Sequence, residues 1–283
     1  MAVANSLTAR KNPGIAAYLT QDAVKNQINK VIGGKNGDRF ISSLVSAVQT
    51  NPALQECSSP TLVSAALLGE SLKLSPSPQL GQYYMVPFND NKNHRKVAQF
   101  QLGYKGYIQL ALRSGQYKKL NVTALKDGEL IHYDPLNEEI EVNLIDDEAE
   151  RENAPTIGYF AMFEYLNGFR KTLYWSIEKM RAHAEKYSKG YAAHKGYTFW
   201  EKDFDGMAYK TMLRQLISKW GIMSIEMQTA IDGDMAVINE DGSKDYVDNE
   251  IDVPEPAPVE EKPADVRRTA SAPAQTAEDA LFG

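Results

Sequence analysis

Apolar residues recur at helical spacing in the first part of the chain. Residues 21–32 and 38–50 predict two helices separated by a glycine-rich stretch. Residues 61–72 predict a third helix. Five apolar positions share one face of the second helix: Phe40, Ile41, Leu44, Val45 and Val48. Residues 1–20 are polar and interrupted by proline and glycine, and we expect them to form a flexible lead.

The middle of the chain changes to a strand-like pattern. Residues 82–88 and 97–103 predict two strands joined by a polar loop. The segment 104–113 predicts a helix ended by Gly115. Shorter strands are expected at 119–125 and 129–133. The clearest hairpin comprises 156–165 and 169–175, because the Asn-Gly dipeptide between them suits a tight type I′ turn.

The remaining segments alternate between acidic and helical character. Residues 134–155 are acidic and predict an exposed excursion, whereas 176–187 predict a helix. A loop rich in glycine, tyrosine and histidine follows at 188–198, and a long helix is expected over about 200–228. The pattern predicts an α+β fold: a small antiparallel β-sheet flanked by helices, with a long C-terminal helix and a disordered acidic tail.

This pattern divides the chain into four parts. Residues 1–20 form the lead, and 21–50 form an N-terminal helical segment that is expected to make oligomer contacts. Residues 51–231 form the core. Residues 232–283 are rich in Asp, Glu, Pro and Ala, and lack the apolar content to fold alone.

Composition is typical of a globular protein in a reducing compartment. The 283 residues are 43% hydrophobic and 24% charged, with no apolar run long enough to span a bilayer and no apolar segment typical of a secretory signal. The one cysteine, Cys57, cannot form an internal disulfide. We therefore expect a cytoplasmic protein without membrane contact.

Charge is segregated along the chain. The formal net charge is -6, but residues 232–283 carry 14 acids and 4 bases, so the rest of the chain has a small positive excess. A mildly basic body with an acidic tail suits a nucleic-acid-binding protein. The alternative is an ordinary acidic tail that aids solubility.

The most informative window is 91–126, which holds eight Lys or Arg residues and no Asp or Glu. It includes the segment Gly103-Tyr104-Lys105-Gly106-Tyr107. On a helix from Tyr104, Lys105, Gln109 and Arg113 are spaced four residues apart and form one polar stripe that can face phosphates. Gly103 and Gly106 would allow another chain segment or a nucleotide to approach closely. Cations attract phosphates and open aromatic faces stack on bases, so the window indicates binding to single-stranded nucleic acid. The alternative is that its tyrosines are core residues and its lysines a solvated face. The candidate binding residues here are Lys92, Arg95, Lys96, Tyr104, Lys105, Gly106, Tyr107, Gln109, Arg113, Lys118 and Lys119.

A second candidate site lies in the predicted long helix. Lys210 and Arg214 are four residues apart and therefore share a face, with Thr211 beside them. Two cations and a hydroxyl form a plausible stripe for a phosphate backbone. The alternative is a surface helix with ordinary charges.

Several enzymatic classes find no support in the sequence. The chain lacks the phosphate-binding motif G-x-x-x-x-G-K-[ST], so we expect no ATP and no other cofactor. Its four histidines and one cysteine lack zinc-ligand spacing, and no metal site is expected, although a role for Mg²⁺ stays open. A Mg²⁺-dependent nuclease is an alternative, in which the metal ion would be bound by Asp203 and Asp205 together with Glu164 or Glu201.

Taken in order, several segments resemble the RecT family of phage-type single-strand DNA annealing proteins. They include Gly81-Gln82-Tyr83-Tyr84-Met85-Val86-Pro87-Phe88, Gln101 to Tyr107, Leu110-Ala111-Leu112-Arg113-Ser114-Gly115, Met207-Ala208-Tyr209-Lys210-Thr211 with Arg214, and Ile225-Glu226-Met227-Gln228-Thr229-Ala230. The resemblance covers about residues 50–231.

The resemblance implies a non-enzymatic protein that binds single-stranded DNA and anneals complementary strands without ATP in homologous recombination. It implies rings or helical filaments of one chain, an annealed duplex intermediate and a phage exonuclease as partner, in the cytoplasm of a bacterial host cell. The DNA-binding roles of the family's Tyr-Lys-Gly-Tyr segment and Lys-Thr helix are carried over on that match. A general nucleic-acid chaperone is the other alternative.

The end of the chain offers a weaker hypothesis about partners. Leu281 and Phe282 follow an acidic pair and a Pro/Ala-rich spacer. Such an acidic, apolar-tipped end could bind a host single-strand-binding protein or the nuclease partner. The alternative is a solubilising tail.

Overall fold

The computed structural model describes residues 14–90 and 93–246. Its helices are α1 Ile15–Leu19, α2 Asp22–Ile32, α3 Gly34–Gln49, α4 Pro52–Gln55, α5 Ser59–Ser71, α6 Tyr104–Arg113, α7 Glu148–Asn153, α8 Ile177–Tyr187, α9 Lys189–Ala192, α10 Phe199–Lys202, α11 Phe204–Trp220 and α12 Ile225–Gly233. Its strands are β1 Tyr83–Asp90, β2 Arg95–Leu102, β3 Tyr117–Lys126, β4 Leu130–Asp134, β5 Glu139–Val142, β6 Thr156–Tyr165, β7 Arg170–Ser176, β8 Ala236–Ile238 and β9 Lys244–Asp245.

The first sheet has the strand order β1-β2-β8-β9 and is antiparallel throughout. The predicted hairpin is confirmed, with Tyr83 opposite Leu102 at its open end. Strand β8 joins the other edge of β2, where Phe100 faces Ala236. A segment near the C-terminal end of the described chain therefore completes a sheet that begins at Tyr83.

The second sheet has the order β3-β6-β7, also antiparallel. The predicted β6–β7 hairpin is confirmed. The predicted type I′ turn is wrong, because that turn needs a positive φ at both central residues, and only Gly168, with a φ of 87°, has one. Strands β4 and β5 form a separate two-stranded ribbon. Strand β5 and helix α7 lie in the segment 134–155, for which the sequence predicted only an exposed excursion.

Helix α11 lies between two hydrophobic cores. Leu213 and Ile217 pack into the first core, which the first sheet shares with α2, α3, α5 and α6. Ala208, Met212 and Leu216 pack into the second core, under the second sheet and α8. Because both flanks of α11 are covered, the helix buries polar side chains as well as apolar ones.

The N-terminal helices are part of the first core. Val24 and Ile28 of α2 and Leu44 and Val48 of α3 are all buried there. The predicted flexible lead is wrong for residues 15–19, which form α1 and bury Leu19 to 1% exposure. Residues 1–13 of that lead lie outside the described residues. The oligomer contacts expected of residues 21–50 stay a prediction.

The predicted single helix over 200–228 is wrong, because the chain forms three helices there. The Asp203 side chain accepts a hydrogen bond from the Gly206 amide and so starts α11 afresh after α10. Gly221 ends α11 in an extended conformation, and Ser224 caps α12. Strong capping residues therefore override a continuous apolar pattern.

The α+β class with antiparallel sheets flanked by helices is confirmed. The boundary placed after residue 231 is wrong, since Asp234 and the strand Ala236–Ile238 are buried and β8 pairs with β2. Composition did not predict this strand, because a short apolar segment in polar surroundings becomes ordered by pairing with the edge of an existing sheet. The rest of the predicted tail, 247–283, lies outside the described residues.

Candidate nucleic-acid interface

A buried carboxylate joins three of the elements predicted to bind nucleic acid. Asp234, 1% exposed, accepts hydrogen bonds from the Leu102 amide at 2.8 Å and the Tyr107 hydroxyl at 3.3 Å. It also forms ion pairs with Lys210 Nζ at 2.8 Å and Arg214 Nη1 at 2.6 Å. With two cations and one anion, this cluster keeps one surplus positive charge. We call these residues the Asp234 cluster.

Burial controls the protonation of this cluster. Desolvation lowers the pKa of Lys210, and the ion pair with Asp234 opposes that effect. Desolvation also raises the pKa of Tyr107 well above its ordinary value, so its hydroxyl remains a neutral donor. Asp234 therefore compensates cations that would be costly to bury alone.

The stripe predicted on α11 is mostly covered, and its role in DNA binding stays a prediction. Lys210 is 6% exposed and Thr211 is also buried, while Arg214 is only partly exposed. Tyr107 is fully buried, as the alternative interpretation of the tyrosines proposed. The spacing argument placed these residues on one face correctly, but that face is covered by α6 and the segment before β8.

A cavity of about 190 Å³ opens next to the Asp234 cluster. It lies between the β1–β2 hairpin, the start of α6 and the α10–α11 junction, and Lys210 is one of its lining residues. Its aromatic walls are Tyr84, Tyr104 and Phe199. The rings of Tyr84 and Phe199 lie 5.7 Å apart. We call this feature the aromatic pocket.

Two glycines allow the close packing that shapes this pocket. A Cβ atom on Gly103 would overlap the carbonyl oxygen of Gly81, and one on Gly106 would overlap that of Gln82. The Gly103 amide also donates a hydrogen bond to the Gln82 carbonyl. The predicted close approach at these glycines is therefore occupied by the protein backbone, which sets α6 against the start of β1.

Two exposed lysines lie at the pocket. Lys105 lies in the first turn of α6, directly after Tyr104, and its ammonium lies 5.8 Å from the centre of the Tyr104 ring. Lys202 ends α10 and lines the pocket directly. Neither has an ion-pair partner within residues 14–90 and 93–246. The charges at the rim therefore remain available to an anionic ligand.

Gln109 and Arg113 belong to the same helix but not to the pocket. The Arg113 guanidinium donates to the Gln109 carbonyl at 3.2 Å and to the Leu72 carbonyl at 2.8 Å. These bonds hold Arg113 across the end of α5. Together with Lys105, it forms the exposed basic side of α6 that the spacing predicted.

The remaining predicted cations occur in surface ion pairs away from the pocket lining. Arg95 pairs with Asp90 at 3.1 Å, and Lys96 pairs with Glu56. Lys118 and Lys119 both pair with Glu164, at 2.5 and 3.8 Å. Ion pairs at the surface are weak because water screens them, so a phosphate could replace the carboxylate at little cost. Lys92, Leu281 and Phe282 lie outside the described residues.

Sequence reasoning missed Tyr84, Phe199, Lys202 and Asp234. Tyr84 could have been found, because successive side chains of a strand point to opposite faces, which places Tyr84 on the face of β1 away from the buried Tyr83. Phe199 follows the loop 188–198 directly and begins α10, and no local pattern singles it out. Asp234 was placed in the tail, and no local pattern indicates that it contacts residues more than a hundred positions earlier.

The acids proposed for a nuclease have structural roles. Asp203 caps α11, Asp205 accepts a hydrogen bond from the Tyr159 hydroxyl at 2.6 Å, and Glu201 forms a capping box with Thr198. Within residues 14–90 and 93–246, no group of three or more His, Cys, Asp or Glu side chains is placed to hold a metal ion. The acid pairs therefore act as helix caps and hydrogen-bond acceptors.

Across the same ranges, no helix combines the length and the apolar character needed to cross a membrane.

Comparison with known proteins agrees with the resemblance found in the sequence. The family model described as "RecT family" matches residues 38–253. The chain is 40% identical over 236 residues to the protein named "Uncharacterized protein YqaK" of Bacillus subtilis (strain 168), covering 83% of this chain and 75% of that protein. It is 30% identical over 233 residues to "Protein RecT" of Escherichia coli (strain K12), covering 80% of this chain and 82% of the relative.

Proposed function

This chain belongs to the RecT family of DNA recombination proteins, and we propose that it binds single-stranded DNA and anneals complementary strands without ATP. We further propose that it acts as an oligomeric ring or filament, with a phage exonuclease and a host single-strand-binding protein as partners. Cofactor independence and location in the bacterial cytoplasm are parts of the same proposal.

The observation that carries this proposal is the combination, at the aromatic pocket, of aromatic walls with lysines that have no ion-pair partner among the described residues. Lys105 and Lys202 provide positive charge for phosphates, and three aromatic rings line the pocket beside them. Stacking requires an open base face, which a single strand offers and a duplex does not. The surplus charge of the Asp234 cluster adds to the attraction for the strand.

A compatible mechanism follows from these contacts. Exposed lysines hold the backbone of one strand while most bases remain accessible to a second strand. Correct pairing then contributes roughly 1.4 kcal/mol of stacking per step, which drives annealing without nucleotide hydrolysis. Many adjacent weak sites along an oligomer favour growth of a matched stretch.

The proposal is tested by mixing the full-length protein with two complementary fluorescent oligonucleotides and no nucleotide. We expect faster duplex formation with intact strands, and no effect on a non-complementary pair. Shortened strands would instead support the nuclease alternative. Absence of acceleration, despite binding, would leave a passive binding protein.

The site is tested with Lys105→Ala and the matched control Lys219→Ala. Lys219 is also exposed on a helix, but it lies nine residues, about 13 Å, beyond Lys210 along α11. Loss of one phosphate contact should reduce the slope of log K against log salt by about 0.7 for a single strand. An unchanged slope in Lys105→Ala, or an equal change in both variants, would contradict the assignment of Lys105 to the backbone.

A further inference from the structure

We infer that the aromatic pocket binds one pyrimidine base of the strand, turned out of the base stack. The inference rests on the proposed function, because it assigns a site to one nucleotide of the bound single strand. The backbone would run along the rim near Lys105 and Lys202, and a single ring would enter the pocket and pack against the adjoining rings of Tyr84 and Phe199.

The size of the pocket suits one six-membered ring. Its volume of about 190 Å³ is somewhat larger than the roughly 150 Å³ engineered cavity that binds benzene. The rings of Tyr84 and Phe199 are tilted by 39° rather than parallel, so they form two adjoining walls. Tyr104 forms a further wall and is fixed by an edge contact with Tyr209 at 5.6 Å. A pyrimidine fills such a space better than a two-ring purine.

One buried residue of the pocket lining carries hydrogen-bond donors. Lys210 is buried, lines the pocket and carries three ammonium donors, of which one is directed to Asp234 Oδ1. A ring with a carbonyl acceptor would satisfy a second donor. Thymine and cytosine carry such a carbonyl, whereas an apolar ring of the same shape does not. The pocket therefore combines stacking walls with one polar contact, as ligand sites commonly do.

Insertion of a base has a consequence for annealing. A base held in the pocket cannot pair, so each protomer would fix one nucleotide and leave its neighbours free to test a second strand. The base must leave the pocket before the duplex is complete. This arrangement would make release of the strand depend on pairing of the flanking bases.

The test uses short strands in which every nucleotide is abasic except one. The central position carries thymine, adenine, the thymine-shaped apolar ring difluorotoluene, or no base. Each strand is titrated at constant salt with the wild-type protein and with Phe199→Ala and Tyr84→Ala. The matched control is Phe169→Ala, which removes a similarly exposed phenylalanine (46% against 39%) that does not line the pocket.

For the wild type, one thymine should tighten binding at least about fivefold over the fully abasic strand, since stacking of a base on an aromatic ring contributes about 1–3 kcal/mol. Adenine and difluorotoluene should give smaller gains. The thymine gain should disappear in Phe199→Ala and in Tyr84→Ala, and persist in Phe169→Ala.

Three outcomes would overturn the inference. They are no thymine gain in the wild type, an equal gain in the wild type and both pocket variants, or an adenine gain as large as that of thymine. Failure of the proposed function is distinguishable, because the wild type would then fail to bind an ordinary thymidine oligonucleotide as well.

Discussion

Replacing the buried carboxylate of Asp234 by an amide tests the central packing of the fold. Asp234 Oδ1 accepts from the Leu102 amide and Lys210, and Oδ2 accepts from Tyr107 and Arg214. In Asp234→Asn the amide oxygen can keep the first pair of bonds. The amide nitrogen, however, is a donor and would face the Arg214 guanidinium, which is also a donor.

The expected loss of stability is large because two cations lose their counter-charge. The Asp234 side chain is fully buried, and the Lys210 side chain is 8% exposed. Removing one partner of a buried ion pair typically costs 3–5 kcal/mol, since the remaining charge stays desolvated. Domains of ordinary stability unfold with only 5–15 kcal/mol, so Asp234→Asn should lose a large part of the total.

The measurement is urea unfolding of the full chain at one fixed protein concentration, followed by circular dichroism. Asp232→Asn is the matched control, because that residue is two positions away on the exposed side of the same segment and should change stability by less than about 0.5 kcal/mol. A loss below about 1 kcal/mol in Asp234→Asn, or equal losses in both variants, would refute the buried-charge argument.

Two further predictions concern packing and pH. Gly106→Ala should lower the free energy of unfolding, measured with urea, by about 1–3 kcal/mol, because the new Cβ would overlap the Gln82 carbonyl oxygen. Helix propensity alone would favour Ala by about 1 kcal/mol, so a loss of stability points to the overlap. The helical control Gly37→Ala meets only the tip of a flexible side chain and should be neutral or stabilising; equal effects in both would contradict the packing argument. Burial, and to a smaller extent nearby cations, lowers the pKa of His183 from 6.5 to about 4. Between these two pH values the imidazole is protonated in the unfolded chain but not in the folded one. The free energy of unfolding should therefore fall as the pH drops from 6.5 towards 4. We expect His183 to contribute about 1 kcal/mol to this fall in the free energy of unfolding, after allowance for its partial exposure. His183→Gln should make the free energy of unfolding less dependent on pH between 6.5 and 5. An unchanged pH dependence in that variant would exclude His183 as its source.

Local patterns predicted the elements whose neighbours are close in sequence. The β1–β2 and β6–β7 hairpins and helix α6 were found because alternation, a turn dipeptide and helical spacing act over a few residues. The exposed position of Lys105 also followed from spacing on α6. These features require no knowledge of distant segments.

Features that depend on distant contacts could not be predicted in the same way. Strand β8 is only three residues long and is stabilised by pairing with β2, more than 130 positions earlier. The burial of Lys210 likewise depends on Asp234, which the composition of its surroundings assigned to a disordered tail. Charge and spacing identify a polar face of a helix but not whether another segment covers it.

The geometry divides the residues of the family-like segments into two groups with different expected phenotypes. Tyr104 and Lys105 lie at the pocket and its rim, whereas Tyr107, Lys210 and Arg214 bind Asp234. A change at Tyr107 or Arg214 would weaken DNA binding indirectly, by lowering the stability of the walls that form the pocket. Lys210 belongs to both groups, because it pairs with Asp234 and also lines the pocket. Loss of binding alone therefore cannot separate the groups. A reduced salt slope with normal unfolding identifies a phosphate contact, whereas early unfolding with a normal slope identifies a residue that supports the pocket.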